Sequence, residues 1–331
     1  MSQPPVTSHR SSAINVTVIL CTYNRCESLA QALESLAAST LPNSIAWEVL
    51  VVDNNSTDQT REVTERYCDS HPNHFRYLYE PRPGKSNALN SGIASANGNI
   101  LAFTDDDVVV EPTWLLNLTA PLQADAWAGC GGRTLPERGF SPPRWIPRRG
   151  LYALAPLAVF DRGTTPRELR ESPFGNNMAY KKSLFEKYGG FRLDLGPRAG
   201  SLEAQKSEDS EFGNRILAAG ERLFYEPSAV LYHAVPQSRV QQAYFLSWWF
   251  DKARADVRGF GTEPAAKWVV RGIPVVLFRR LAVWLLRWTL EFEASARFEC
   301  KLKVWGLAGQ IVECYRLFIE ASTKRAHDAR S

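Results

Sequence analysis

The sequence lacks the features of a disulfide-bonded, membrane-spanning or nucleic-acid-binding protein. Its six cysteines are scattered over 331 residues with no CxxC pair, which favours free thiols in a reducing compartment. A membrane-spanning helix needs about 18 to 20 uncharged apolar residues, and the nearest candidate, residues 275–290, contains three arginines. Lysine plus arginine exceed aspartate plus glutamate by only 39 to 35, an excess too small to indicate a nucleic acid partner.

Composition divides the chain into three parts. Residues 1–13 are polar, rich in Ser and Pro, and without the profile of a secretory signal, so we expect a disordered lead-in and a cytoplasmic protein. Residues 14–245 form the expected main domain, and its segment 131–165, rich in Pro and Arg, is expected to be an irregular excursion. Residues 246–331 are expected to be helical, with no further strand after residue 241.

Short apolar runs alternate with helical patterns through the first third of the chain. Such alternation gives a mostly parallel sheet covered by helices on both faces, so the predicted fold class is α/β. Ser56 and Gln59 have the spacing of a capping box, which predicts that the second helix begins there. The predicted strands are 16–21, 49–52, 75–79 and 100–104, and the predicted helices are 27–38, 56–70 and 86–96.

Polar residues stand at the carboxyl ends of three predicted strands. In sheets of this kind ligands bind beyond those ends. Chance would scatter polar residues without chemical consistency, so three such clusters predict one binding site. The clusters are Thr22-Tyr23-Asn24-Arg25, Asp53-Asn54-Asn55 and Asp105-Asp106-Asp107.

The three adjacent aspartates, Asp105, Asp106 and Asp107, are the strongest local signal. Adjacent carboxylates repel one another, so a fold that holds them together usually neutralises them. A divalent cation, Mg²⁺ or Mn²⁺, does this with oxygen ligands and bridges to a diphosphate. The alternative is a solvated acidic turn. His233, which follows an apolar run, is either a third metal ligand or a core or surface histidine.

Other candidates are weaker when taken singly. Asp53 can accept hydrogen bonds from a base or ribose, but it is also an ordinary turn residue. Tyr23 offers a ring on which a pyrimidine can stack, and Arg25 and Lys85 offer positive charge for phosphates. Gly84-Lys85-Ser86 is not a P-loop, because Tyr79 stands where that motif requires glycine.

Glu208 and Asp209 open a predicted helix. Carboxylates at this position are favoured by the helix dipole. The functional alternative is a general base that removes a proton from an acceptor hydroxyl. The composition of the segment leaves both interpretations open.

In order and spacing, these pieces resemble family 2 glycosyltransferases of the GT-A fold. The resemblance covers about residues 14–245. Any one piece is weak, but seven in order are specific. The pieces are residues 18–25, 51–58, 84–90, Asp105-Asp106-Asp107, residues 175–180, Gly189-Gly190-Phe191 and Glu208-Asp209.

The resemblance implies a role for each matching residue. Thr22, Tyr23 and Asp53 are implied to contact the nucleoside, and Arg25 and Lys85 to lie towards the donor. Asn55, Asp105 and Asp106 join this nucleotide-sugar-binding set, and Asn177, with Asn176, forms part of the sugar wall. Asp105 and Asp107 are implied to be the ends of a DxD motif, with Asp107 the more direct metal ligand. His233 stays a candidate third metal ligand from the sequence. Asp209 is implied to be the base and Glu208 its companion.

The implied reaction is an inverting displacement that uses a nucleotide-sugar, expected to be a UDP-sugar. Asp209 deprotonates an acceptor hydroxyl, which attacks the anomeric carbon while the metal stabilises the leaving diphosphate. The segment after Tyr232 lacks the Gln-x-x-Arg-Trp signature of processive synthases, which indicates transfer of a single sugar to a saccharide or lipid-linked saccharide. Two alternatives stay open: a metal-dependent nucleotidyltransferase and an inactive nucleotide-sugar-binding module.

The tail contains a helix with two distinct faces. Such a helix can lie in a membrane interface, its arginines Arg279, Arg280 and Arg287 against anionic head groups. The alternative is a helix packed on the catalytic domain with its arginines in solvent. Peripheral association with the inner face of the cell membrane is therefore a hypothesis. The apolar face consists of Leu277, Leu281, Trp284, Leu285 and Trp288.

Overall fold

The computed structural model describes residues 15–147, 154–197, 207–261 and 268–328, so the predicted lead-in 1–13 lies outside the described residues. Nine of the strands in these ranges form one sheet. These strands are β1 (Val16–Thr22), β2 (Trp47–Asp53), β3 (Phe75–Tyr79), β4 (Ile100–Asp105), β5 (Val108–Val110), β6 (Gly129–Pro136), β7 (Arg167–Leu169), β8 (Met178–Lys181) and β9 (Leu223–His233).

Helices follow most of the strands of the first third and then dominate the end of the chain. In order along the chain they are α1 (Cys26–Ala37), α2 (Thr60–Ser70), α3 (Lys85–Ser95), α4 (Trp114–Thr119), α5 (Ser183–Tyr188), α6 (Glu208–Ala218), α7 (Gln242–Phe260), α8 (Val275–Leu290) and α9 (Ala294–Asp328). A two-stranded hairpin, β10 (Val269–Val270) and β11 (Ile273–Pro274), precedes α8.

The sheet has the order β3-β2-β1-β4-β8-β6-β9-β5, with β7 also paired to β9. Strands β3, β2, β1 and β4 are parallel to one another, and β6 pairs in parallel with β9 over most of its length. Strand β8 is inserted antiparallel between β4 and β6, and the short strands β5 and β7 are antiparallel to β9. The predicted α/β class with a mostly parallel sheet is confirmed.

Both faces of the sheet are buried, which explains why its central strands are apolar at consecutive positions. Val18 and Leu20 of β1 pack in a core with α1 and α4, whereas Ile19 between them packs in a second core with α3, α5 and α6. Trp114 anchors the first core and Phe212 the second, and both are fully buried. The two cores hold the strand ends of β1, β2 and β4 at one edge.

The prediction that helix α2 starts with a Ser56–Gln59 capping box is wrong. The helix begins at Thr60, whose backbone N–H and hydroxyl both donate to Oδ1 of Asp58. Ser56 instead belongs to the loop, where its backbone N–H donates to Asp53 and its hydroxyl accepts from the backbone of Asn24. Asp58 is closer to Thr60 along the chain than Ser56 is. Its Oδ2 also accepts from the backbone N–H of Cys26, the first residue of α1.

The later part of the chain departs from expectation in three places. Residues 131–136 of the expected irregular segment belong to β6, and Thr134 forms a β-bridge with Phe160. The hairpin β10–β11 contradicts the expectation of no strand after residue 241. Helix α7 runs through the expected boundary at residues 245 and 246. Across the described ranges, no helix combines the length and the apolarity needed to cross a membrane.

Candidate active site

A cavity of about 1130 Å³ opens at the carboxyl ends of β1, β2 and β4. It lies where ligands bind in open sheets of this class. Most of the residues predicted for the site share this cavity, although they come from widely separated parts of the chain. Those lining it are Thr22, Tyr23, Arg25, Asn55, Lys85, Asp105, Asp106, Asp107, Glu208, Asp209 and His233.

Basic side chains of the protein neutralise the three adjacent aspartates. Lys85 Nζ lies 2.5 Å from Asp105 Oδ1, and Arg25 Nη1 lies 3.2 Å from Asp106 Oδ1 and 2.8 Å from Asp107 Oδ2. The cluster therefore does not by itself require a cation, because lysine and arginine already supply positive charge. A metal at this site has to be argued from the individual ligands.

Asp107 and His233 form the closest carboxylate–imidazole pair in the cavity. Antiparallel pairing of β5 with β9 puts Val108 opposite His233, so that His233 Nε2 lies 3.2 Å from Asp107 Oδ1. Burial opposes ionisation of Asp107, but His233, Arg239 and Arg25 together outweigh it and hold its pKa below the ordinary value. Nδ1 of His233 is buried and makes no hydrogen bond to the described residues.

Asp106 is more deeply buried than its neighbours. Burial raises the pKa of its carboxyl to about 6, although the charge of Arg25 opposes the shift. Its Oδ1 accepts a hydrogen bond from Arg25 Nη1 at 3.2 Å, so Asp106 helps to position the Arg25 guanidinium at the cavity.

Glu208 and Asp209 enter the cavity at the first turn of α6, behind Ser207 in the left-handed conformation with φ of 76°. Asp209 is held by two backbone N–H groups, that of Gly175 at 2.7 Å and that of Ser210 at 2.6 Å. A Cβ at Gly175 would lie only 3.1 Å from Asp209 Oδ2, so glycine allows this close approach. The carboxylate is thereby fixed in one orientation.

The neighbouring Glu208 carboxyl is almost fully buried. Burial, reinforced by the negative charge of Asp209, raises its pKa to about 7, while Lys85 opposes the shift. A buried acid with a perturbed pKa in a cleft is a common mark of a functional group. The site therefore contains two adjacent carboxyls in different environments.

The loops that follow the parallel strands β2 and β3 are tied together at another part of the cavity. Asn54 donates to the backbone carbonyls of Glu80 and Arg82 and accepts from the backbone N–H of Gly84. Beside it, Asn55 Oδ1 accepts from the hydroxyl of Tyr79 at 2.6 Å. Tyr23, after β1, is 42% exposed and presents its ring to the same opening.

Two predicted ligand-binding residues do not reach the cavity. Asp53 is buried behind its wall, where Oδ1 accepts from the backbone of Ser56 and Oδ2 from the hydroxyl of Tyr77. Asn177 is buried between Trp114, which donates to its Oδ1, and the carbonyl of Ala229, to which it donates. The roles of these two residues in ligand binding therefore stay predictions. Asn176, the residue before Asn177, lines the cavity.

Sequence reasoning missed a second wall of the cavity. Arg239 Nη2 lies 3.4 Å from Asp107 Oδ2, and its Nη1 lies 3.2 Å from His233 Nε2. A stripe of residues on helix α7, spaced four apart, continues this wall. Its helical spacing is visible in the sequence, but the stripe crosses the domain boundary expected after residue 245. The stripe consists of Tyr244, Trp248, Lys252, Asp256 and Phe260.

Comparison with known proteins decides the family. The sequence model described as Glycosyl transferase family 2 matches residues 17–189, just over half of the chain. The chain belongs to glycosyl transferase family 2. It is therefore a glycosyltransferase, as the order of its motifs predicted, and the nucleotidyltransferase alternative is set aside. The matched range includes the three adjacent aspartates. It ends before Asp209, His233, Arg239 and helix α7.

Two relatives extend the similarity beyond the matched range. The succinoglycan biosynthesis protein ExoM of Rhizobium meliloti (strain 1021) is 27% identical over 234 residues, which are 71% of this chain and 71% of that protein. The glucosyl-dolichyl phosphate glucuronosyltransferase of Haloferax volcanii is 29% identical over 243 residues, 71% of this chain and 75% of that protein. Similarity to both therefore spans most of the two family 2 proteins.

Solved structures share the fold at low identity. The mannosyltransferase PcManGT from Pyrobaculum calidifontis, in complex with GDP-Man and Mn²⁺, matches with a TM-score of 0.57 and 22% identity over 93% of this chain and 80% of that chain. GalNAc-T7 with UDP, GalNAc and Mn²⁺ matches with a TM-score of 0.56 and 16% identity over 94% of this chain and 56% of that one. These similarities confirm the GT-A fold of the family 2 chain.

Proposed function

We propose that the chain transfers one sugar, with inversion, from a nucleotide-sugar to a saccharide or lipid-linked saccharide during synthesis of a surface polysaccharide or glycoconjugate. One observation carries the proposal: the Asp107–His233 pair and the fixed Asp209 carboxylate share one cavity with Tyr23 and Lys85. The named activities of relatives in succinoglycan synthesis and dolichyl phosphate glycosylation support a glycan product.

The residues present fit a divalent cation as a partial ligand set. Asp107 and His233 would hold Mn²⁺ or Mg²⁺, because a carboxylate oxygen and an imidazole nitrogen lie 3.2 Å apart. The described residues contain no cluster of three or more His, Cys, Asp or Glu side chains suited to a metal. Oxygens of the donor diphosphate and of water would complete the shell. The ion supplies positive charge that stabilises the leaving diphosphate.

The basic side chains around Asp107 have a second use in this proposal. Arg25 and Arg239 both contact Asp107, and Lys85 contacts Asp105. Guanidinium and ammonium groups recognise phosphate oxygens well, so we expect these side chains to contact the diphosphate of the donor. We expect Tyr23, at the open end of the cavity, to stack on the base.

Asp209 is the proposed general base. Its carboxylate takes the proton of the acceptor hydroxyl, whose oxygen attacks the anomeric carbon as the bond to the diphosphate oxygen breaks. Two backbone N–H groups hold the carboxylate in place, which favours a defined approach by the acceptor. Glu208 lies beside Asp209 in the same cavity, where the charge of Lys85 favours its ionisation and burial opposes it.

The stripe on α7 is the proposed acceptor wall. Tyr244 and Trp248 offer aromatic faces for the apolar faces of sugar rings, and the Lys252–Asp256 pair, 2.5 Å apart, offers polar contacts. A lipid-linked acceptor would lie in a membrane. Peripheral association with the inner face of the cell membrane is therefore part of the proposal.

The test is release of nucleoside diphosphate from a panel of UDP-, GDP- and dTDP-sugars, with Mn²⁺, Mg²⁺ or EDTA. We expect metal-dependent release from one donor, with UDP-sugars tested first. Thermal shift in the same conditions reports donor binding where hydrolysis without acceptor is slow. If no nucleotide-sugar stabilises the protein in the presence of metal, the proposal is wrong.

A further inference from the structure

The hairpin β10–β11, helix α8 and the residue pair that follows it expose large apolar side chains. We call residues 268–292 the α8 surface. Leu286 is 60% exposed and Leu290 62%, and aromatic side chains flank the helix, with Trp268 at 76% and Phe292 at 92%. Apolar side chains exposed together in this way mark an interaction site more often than an accident of sequence.

The exposed face of α8 is not the one expected from the sequence. Leu277 packs in a core with Val257 and Cys314, and the ring of Trp288 meets that of Trp305 on α9 edge to face, with centroids 6.1 Å apart. The face containing Leu277 and Trp288 is therefore covered by helices α7 and α9. At helical spacing, Leu286 and Leu290 project from the opposite side, which α9 does not cover.

The charge of the α8 surface has one sign over nearly its whole length. Residues 268–290 contain four arginines and no acidic residue, and Glu291 is the first carboxylate to follow. Arg279 lies on the exposed side of the helix, between the turns that carry Val275 and Leu286. An apolar face with interspersed arginines is complementary to an apolar partner that carries negative charge.

We propose that the α8 surface docks on an anionic lipid bilayer surface. Leu286 and Leu290 would enter the boundary between head groups and acyl chains, while Arg279 binds a phosphate group of the lipids. Trp268 and Phe292 would lie at the interface, where aromatic rings are favoured. This inference deepens the proposed association with a membrane by naming its surface, and its test does not depend on sugar transfer.

A second copy of the chain fits this surface less well. An isologous dimer through α8 would bring the same patch of both copies together. Arg279 of each chain would then lie in the interface, with no carboxylate between residues 268 and 290 to offset its charge. The charge pattern thus favours lipid over self-association.

The experiment is co-sedimentation of the full chain with vesicles of equimolar phosphatidylglycerol and phosphatidylcholine, compared with vesicles of phosphatidylcholine alone. Leu286→Glu should lower the partition coefficient at least about tenfold, because it removes a leucine that the bilayer would bury. Its matched control is Leu193→Glu, since Leu193 is 63% exposed elsewhere on the molecule and should leave binding unchanged. Both variants should keep the wild-type melting temperature.

Charge is tested separately with Arg279→Gln, which should weaken binding to the anionic vesicles about fivefold. Its control, Arg66→Gln on the exposed side of α2, should have no effect. Binding that survives Leu286→Glu, or that is equal on neutral vesicles, would overturn the proposal. So would sedimentation equilibrium showing a dimer that Leu286→Glu dissociates, together with no vesicle binding.

Discussion

The buried carboxyl of Glu208 should make the stability of the metal-free and donor-free protein fall as pH rises. Its pKa is about 7 in the folded chain, against an ordinary value of 4.5, chiefly because burial disfavours the charged form. The folded state therefore binds a proton more tightly than the unfolded state. Its contribution to stability is present below pH 4.5 and is lost as pH rises through 7. A shift of this size corresponds to about 3 kcal/mol.

Glu208→Gln removes this titration while keeping the size and shape of the side chain. Urea unfolding of the wild type and the variant, measured from pH 4.5 to pH 8, should show the variant gaining about 3 kcal/mol relative to the wild type across that range. Asp106 titrates in the same interval, but both proteins contain it, so its effect cancels. Glu62→Gln on exposed helix α2 controls for loss of a carboxylate. Parallel stability curves for Glu208→Gln and wild type would refute the reasoning.

Two further substitutions test other parts of the structure. Glu313 is fully buried and forms ion pairs with Arg254, Arg258 and Arg316. Glu313→Gln should therefore lower the free energy of unfolding, measured by urea denaturation, by about 3 to 5 kcal/mol. A change below about 1 kcal/mol would contradict a stabilising role for these ion pairs. Trp248→Ala should raise the acceptor KM about tenfold with little change in donor affinity. An effect on donor affinity alone would place Trp248 outside the acceptor wall.

The strands and the strand-end residues could be predicted because their signals are local. Consecutive apolar residues at Val18, Ile19 and Leu20 indicate a strand buried on both faces, and the polar residues after β1, β2 and β4 follow directly. Parallel pairing then brings Thr22 level with Asp53 and Cys21 level with Asp105. Periodicity and the rule on strand ends therefore suffice for half of the cavity.

The remaining half depends on contacts between distant segments, which periodicity does not reveal. Arg239 meets Asp107 only because β9 pairs with β5 and the chain then turns into α7. The choice between Asn176 and Asn177 depends on the start of β8, where one residue decides whether a side chain points to the cavity or to Trp114. Neutralisation of the aspartates by Arg25 and Lys85 is likewise a tertiary effect.

The most direct test of the proposed function is Asp209→Asn, assayed for sugar transfer and for donor binding in the same preparation. Removing the general base should lower kcat by about 10² to 10⁴, with the Kd of the donor changed by less than about twofold. The amide of the variant has one acceptor oxygen, so it can keep one of the two backbone hydrogen bonds that the carboxylate accepts. Glu208→Gln is the companion variant, because it alters the adjacent carboxyl. Transfer that persists in Asp209→Asn but disappears in Glu208→Gln would assign the base to Glu208 and contradict the account.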